Sequence, residues 1–359
     1  MKPPHPGRSG NFACACVLHR GVIADSTRLS VLDRSSNRAG TSQPRALRDT
    51  VRFARQAEAL GYHRFWVSEH HSVPGVAGTA PTVLTAAIAA ATDRIRAGTG
   101  GVMLPNHRPL VVAEQFGVLE SLHPGRIDMG LGRSLAFTGG IRRALGTSKD
   151  DAEGFGAQLA ELLGYFTGEQ DVHPNVHANP ADGLRPAPFV LATGSGAETA
   201  AEAGLPVVVA PVRGEDEMLR VIGRYRERFR PSAWADRPYV VVSGTVAVAD
   251  TDARARELLV PEAWAHAQAR TRGVFPPLEP PERSDPAGMS PRERERFDEA
   301  MRGHIHGTED TVGAALEGLV SRTGADEVLV TMSTFDREEM LDSYRRLARV
   351  AGLTAPAGQ

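Results

Sequence analysis

From Leu29 onward the chain alternates short apolar runs with longer segments in which apolar residues return every three or four positions. A continuous apolar run suits a strand covered on both faces, and a period of three to four suits a helix with one apolar stripe. Their regular alternation is the pattern of βα units around a parallel sheet. Eight such runs are legible, at 29–32, 64–68, 95–99, 127–131, 189–192, 206–210, 239–248 and 327–331. Helical segments fall between and after them, at 45–60, 81–91, 110–122, 151–166, 195–204, 216–229, 252–270, 308–322 and 336–350. In the first of these, Leu47, Val51, Ala54, Ala57 and Leu60 share one face before Gly61 stops the helix. Eight strands with intervening helices predict a closed (β/α)8 TIM barrel. A doubly wound sheet would instead need a glycine-rich turn directly after the first strand, with an acid about twenty residues on. Here the first strand runs into Asp33-Arg34-Ser35-Ser36.

Residues 1–28 mix Pro, Gly, Arg and Ser without periodicity and read as a disordered leader outside the fold. The remainder, 29–359, reads as one barrel domain. Within it the proline-rich, charged stretch 273–296 is expected to be an inserted mobile loop before the last βα unit. With 23% charged residues and a net charge of −2, the chain lacks the basic excess of a nucleic-acid binder. It has no apolar stretch approaching 18 residues and no signal-peptide pattern at its start, so the expectation is a cytoplasmic protein with no membrane partner. Cys14 and Cys16 are the only cysteines and cannot build a disulfide framework.

In a (β/α)8 barrel the functional residues project from the C-terminal ends of the strands. The second strand ends in Ser68-Glu69-His70-His71, which puts an acid and two imidazoles at the rim. Imidazole exchanges protons near neutral pH and a neighbouring carboxylate can orient it, so Glu69, His70 and His71 are the catalytic candidates. A structural role or zinc is the competing use. Metal-dependent barrel hydrolases present a His-x-His pair from the first strand, however, and this first strand carries none. His304 and His306 lie before a late helix, and His173 and His177 lie in an irregular stretch, so no metal site is expected.

The third strand ends in Gly98-Thr99-Gly100-Gly101, where missing side chains would let a flat ligand approach the backbone; a tight turn would use the same residues. The fourth ends in Gly130-Leu131-Gly132-Arg133, whose arginine could pair with a phosphate through its planar donor fork, or form an ordinary surface ion pair. The fifth passes through Thr193-Gly194-Ser195-Gly196 into a helix whose first N–H groups lack intrahelical partners. That turn resembles a dinucleotide fingerprint without its third glycine, and a phosphate suits it better than the competing uses, a plain N-cap or a nicotinamide dinucleotide, with Arg133 as the second clamp.

The stretches LSVLDRSS (29–36), AEALGYHRFWVSEHH (57–71), RIRAGTGGVMLPNHRPLVVAEQF (94–116), LHPGRIDMGLGRS (122–134) and ATGSGAETAAEAGLP (192–206) occur in order and fall at barrel strand ends. On these stretches the chain resembles the bacterial luciferase-like flavin monooxygenases over about 29–347. Within that group the LSVLDRS opening resembles a small subfamily found in secondary-metabolite pathways. The resemblance implies reduced FMN with its ring against the third-strand glycines and its phosphate on Arg133 and the 193–196 turn. It also implies a non-proline cis peptide at Gly100-Gly101, His70 as the proton-transferring residue, and 273–296 as a lid. The activity implied is oxygenation of a small organic substrate by O2 through a C4a-hydroperoxide formed in a dry pocket. A separate flavin reductase is the implied electron source and a homodimer the implied assembly. After Arg133 the sequence reads Ser-Leu-Ala-Phe-Thr-Gly-Gly, which departs from the Pro-Gly or acidic stretch common in relatives and leaves the substrate contacts open. Two other readings remain: a hydride-transferring oxidoreductase that uses the deazaflavin F420 on the same fold, and a flavin-binding protein without catalysis.

Overall fold

The computed structural model describes residues 27–135, 138–192, 194–283 and 288–354. The expected leader lies outside the described residues except at its end, where Arg28 belongs to the first strand and pairs with Glu327. The strand therefore begins one residue earlier than the sequence suggested.

Eight parallel strands close on themselves. They are β1 (Arg28–Asp33), β2 (Arg64–Val67), β3 (Arg96–Thr99), β4 (Ile127–Gly132), β5 (Ala187–Ala192), β6 (Val207–Val209), β7 (Val240–Val248) and β8 (Glu327–Thr331). Each pairs with the next in chain order, and β8 pairs in parallel with both β7 and β1, which completes the barrel. All C-terminal strand ends consequently share one rim. Two short strands lie off the ring: Val102–Met103 pairs with the end of β4, and Ile305–Gly307 with the end of β7.

The helices surround the barrel as α1 (Gln43–Ala59), α2 (Pro81–Ala91), α3 (Pro109–Leu122), α4 (Gly139–Leu145), α5 (Phe155–Thr167), α6 (Gly196–Glu202), α7 (Glu215–Arg228), α8 (Asp252–Arg272), α9 (Pro291–Ala300), α10 (Glu309–Thr323) and α11 (Arg337–Val350). Phe53 of α1, Phe65 of β2 and Tyr344 of α11 pack edge to face within the layer between strands and helices. No helix among the described residues is long and apolar enough to cross a membrane.

Part of the expected insertion is ordered helix. Ser290 caps α9 through a reciprocal capping box with Glu293, Pro291 sits in the first turn, and Phe297 is buried. The sequence PRERERFDEA carries too little apolar signal to mark this helix. Helix α9 packs on α8, and Arg272 holds Glu293 at 2.6 Å.

The barrel lumen is filled by Trp66, Phe189, Val208, Val241 and Leu329. Below them, at the N-terminal end, Arg64 lies between two buried carboxylates, 2.8 Å from Asp128 and 3.0 Å from Glu327. Trp66 Nε1 and Tyr239 Oη donate to the same two acids. This polar floor closes one end of the lumen and leaves the rim end for chemistry.

Candidate active site at the barrel rim

Along β2, Arg64 and Trp66 face the lumen while Phe65 and Val67 face the helices. The same alternation, carried past the strand end, separates His70 from Glu69. His70 accordingly pairs with Ser68, whose Oγ lies 3.1 Å from Nδ1, and its backbone N–H donates to Gly78 O. Burial, reinforced by the Arg34 guanidinium, pulls the His70 pKa down to about 4 against the opposing pull of Glu69. The ring is therefore neutral near pH 7.

Glu69 turns away from His70 and becomes a hub. It is 4% exposed, and its carboxylate accepts from His71 Nε2 at 2.8 Å, His107 Nε2 at 2.9 Å, the Met103 N–H at 3.0 Å and Asn106 Nδ2 at 3.3 Å. Burial pushes this carboxyl up, but the bonds from His107, Met103 and His71 outweigh it and hold the group below the usual carboxylate range. The structure thus bonds Glu69 and His71 to each other and to His107, and bonds His70 to Ser68.

His107 was not singled out in the sequence. It stands 38 residues from Glu69, in the Asn106-His107-Arg108 run that opens α3, and that run was its only signal. Ligand atoms of Glu69, His71 and His107 lie within 4.8 Å of one another, so a divalent metal is sterically conceivable. The observed separations are N–H···O distances, and two further donors already occupy the carboxylate, so the cluster is complete as a hydrogen-bonded hub.

The segment pinned by Glu69 directly follows Gly100-Gly101, whose peptide is cis as the family resemblance implied. Packing requires the second glycine against backbone and crowds the first against a side chain. A Cβ on Gly100 would lie 2.7 Å from Leu32 Cδ1, and one on Gly101 would lie 2.6 Å from Gly130 O.

On the next sector of the rim the structure brings together the residues expected to grip a phosphate. Arg133, after β4, donates from Nη1 to Ser195 Oγ at 2.6 Å across to the turn after β5. Gly194 has φ +122°, a conformation that favours glycine, and the space its side chain would fill is open. Gly196 begins α6 with Arg133 Cδ 3.8 Å from where its Cβ would stand. Thr193 lies outside the described residues.

A cavity of about 840 Å³ opens over the ends of β6, β7, β8 and β1. Ser243, Gly244 and Thr245 of β7 and Thr331 of β8 form its base, while Arg34, α8, α9 and the segment around His304 form its walls. Its size lies within the range for small-molecule sites. His266 of α8 enters from the wall, and burial, reinforced by the nearby Arg34 and Arg270 guanidinium groups, lowers its pKa to about 3.

The family model described as luciferase-like monooxygenase matches residues 27–327. A luciferase-like monooxygenase of Escherichia coli (strain K12) is 36% identical over 319 residues, covering 88% of this chain and 94% of that protein. Among solved structures, apo-MsnO8 superposes with a TM-score of 0.80 at 32% identity, covering 92% of this chain and 99% of that one. Two more distant structures share the fold. One is the oxygenating constituent of 3,6-diketocamphane monooxygenase from Pseudomonas putida in complex with FMN (19% identical, TM-score 0.68, covering 92% and 99%). The other is an F420-dependent secondary alcohol dehydrogenase with an F420–acetone adduct (15%, TM-score 0.63, covering 91% and 99%). With its closed barrel and a family match across most of its length, the chain belongs to the luciferase-like monooxygenase family.

Proposed function

We propose that the protein is a monooxygenase that uses reduced FMN, delivered by a separate flavin reductase, to insert one oxygen atom of O2 into a small organic substrate. The observation that carries this reading is the Arg133–Ser195 clamp, held at the same rim as a neutral, half-buried His70 and a cavity large enough for a small organic molecule. The residues fit the cofactor: the guanidinium fork matches a phosphate, and the empty space beside Gly194 leaves its backbone approachable. Reduced FMN, when bound, supplies the electrons that activate O2.

The chain's own contribution is positional and protonic. Arg133, Ser195 and the 193–196 turn hold the phosphate. Glu69, with His71 and His107, fixes the segment after Gly100-Gly101 against the end of β2 as a platform for the ring. This casts Glu69 and His71 as positioning residues and His70 as the catalytic one. Ser68 orients the His70 imidazole, whose neutral form accepts a proton at the reacting centre and returns it.

The F420 reading makes the opposite statement about oxygen, so one experiment separates the two. Protein loaded with reduced flavin is mixed with air-saturated buffer while dissolved O2 and flavin absorbance are followed together. The proposal expects O2 to be consumed as flavin is reoxidised, with product oxygenated once a substrate is present. Tight binding of F420 with no binding of reduced FMN would overturn it. A flavin-binding protein without catalysis would show no change in any activity on His70→Ala.

A further inference from the structure

The walls of the rim cavity carry more positive charge than their acids neutralise. Four arginines line it, Arg34, Arg270, Arg296 and Arg302, against two carboxylates, Glu262 and Glu299. Both carboxylates are already engaged. Glu262 is ion-paired with Arg34 and also accepts from the Ser333 N–H, with His266 3.9 Å away. Glu299 accepts from Arg296 at 2.6 Å and lies 3.9 Å from Arg302. Arg270, on the last turn of α8, has no ion pair or hydrogen bond with any described residue, although it faces the same space.

A second observation sits at the base. The Thr331 hydroxyl is buried, at 5% exposure for the residue, and has no hydrogen-bond partner among the described residues. A buried hydroxyl without a partner is uncommon, and the residue that carries it lines the cavity. The surrounding base of Ser243, Gly244 and Thr245, with Leu259 and Ala263 on the wall, offers small and apolar surfaces for the rest of a molecule, and nothing occupies the space beside Gly244.

We infer that this cavity takes an organic anion, a carboxylic acid with an apolar body, whose charged end is received by Arg270 on the α8–α9 wall and whose body lies over the ends of β7 and β8. Calling that ligand the substrate rests on the monooxygenase reading, but its binding does not. The charge on the cavity also has a second conceivable source, since a flavin phosphate is an anion too. Arg133 and Ser195 follow β4 and β5 and neither lines the cavity, so the two anions have separate receivers.

The test uses the full-length protein and matched probes that differ in charge alone: octanoate against octanamide, and phenylacetate against phenylacetamide. Calorimetric titrations are run without flavin and again with FMN present. Each acid is expected to bind roughly tenfold or more tightly than its amide, the range of a charge-assisted hydrogen bond, and to weaken as salt is raised. Arg270→Gln should remove the preference for the acid while leaving amide binding in place, and Arg270→Lys should restore part of it. FMN and riboflavin are then compared in the same variants, where the phosphate preference should persist in Arg270→Gln and vanish in Arg133→Ala. If neither acid binds, if acid and amide bind equally, or if Arg270→Gln keeps the acid preference, the inference fails. If Arg270→Gln instead loses the phosphate preference, Arg270 is a cofactor residue and the inference also fails. Failure of the protein to bind FMN would overturn the flavin reading and still leave the acid and amide comparison readable.

Discussion

At the scale of single residues, the β2 terminus divides three adjacent polar groups between two jobs. Strand alternation sends His70 toward Ser68 and the rim, and Glu69 toward the loop after β3. His70→Ala should therefore leave flavin binding intact but divert reduced flavin and O2 to hydrogen peroxide, seen as a rise in peroxide per flavin oxidised. Unchanged product yield would remove His70 from the chemistry. Because its pKa lies near 4, His70 stays neutral from pH 5 to 8, and a rate loss with a midpoint near 6.5 would show that another group controls activity. Replacing Arg133 with Ala should weaken FMN by about 1.5–3 kcal/mol, the range for a lost hydrogen bond to a charged group, while leaving riboflavin binding unchanged. Equal FMN titrations for variant and parent would contradict the phosphate assignment.

At the scale of elements, the hub makes Glu69 a fastener between β2 and the 102–107 segment. Glu69→Gln keeps the shape but replaces one acceptor oxygen with a donor, which faces an imidazole N–H. The expected cost is about 1–3 kcal/mol of stability together with faster hydrogen exchange at the Met103 amide. Exchange at Met103 as slow as in the parent would show that the segment is held by other contacts. The α9 capping box is independently testable, since Ser290→Ala should cost about 1 kcal/mol in chemical denaturation. The barrel elements were legible in the sequence because strands covered on both faces must be continuously apolar. The expected bounds 327–331 coincide with β8, and the alanine-rich helix expected at 81–91 coincides with α2. Helix α9 was not legible, because ten residues with one buried aromatic give no stripe. Neither were α4, which buries nothing, or the two short strands, which are too brief to show a period.

At the scale of the whole molecule, the barrel joins a polar floor to a polar rim through an apolar lumen. Arg64→Ala should destabilise by about 3–5 kcal/mol, because it leaves Glu327 buried without a cation and Asp128 with Arg96 alone. Histidines set the acid limit of stability. His63, which accepts from Arg28 and lies near Arg64, has a pKa lowered to about 3 by burial and those cations, and that of His70 is lowered to about 4. An unfolded histidine takes up its proton near pH 6.5 while these folded ones do not, so the unfolded state binds more protons between that pH and about 4. Stability should accordingly be full above pH 6.5 and fall as pH drops through that window. His63→Gln should blunt the fall in melting temperature between pH 7.5 and 5, and an equal fall in parent and variant would remove His63 as a cause.

Sequence reading anticipated that Arg133 and Ser195 come together because both follow strand ends, where barrel geometry makes them neighbours. It missed the cavity charges because Arg270 and Arg302 come from helix and loop positions that nothing in the local pattern places over the barrel mouth.

The most direct measurement is an anaerobic titration of the protein with reduced FMN, reduced riboflavin and F420, followed by fluorescence and repeated on Arg133→Ala. The expected result is saturable binding of reduced FMN, tighter than riboflavin in the parent and no tighter in the variant, with F420 bound weakly or not at all. Tight binding of F420 without binding of reduced FMN would contradict it.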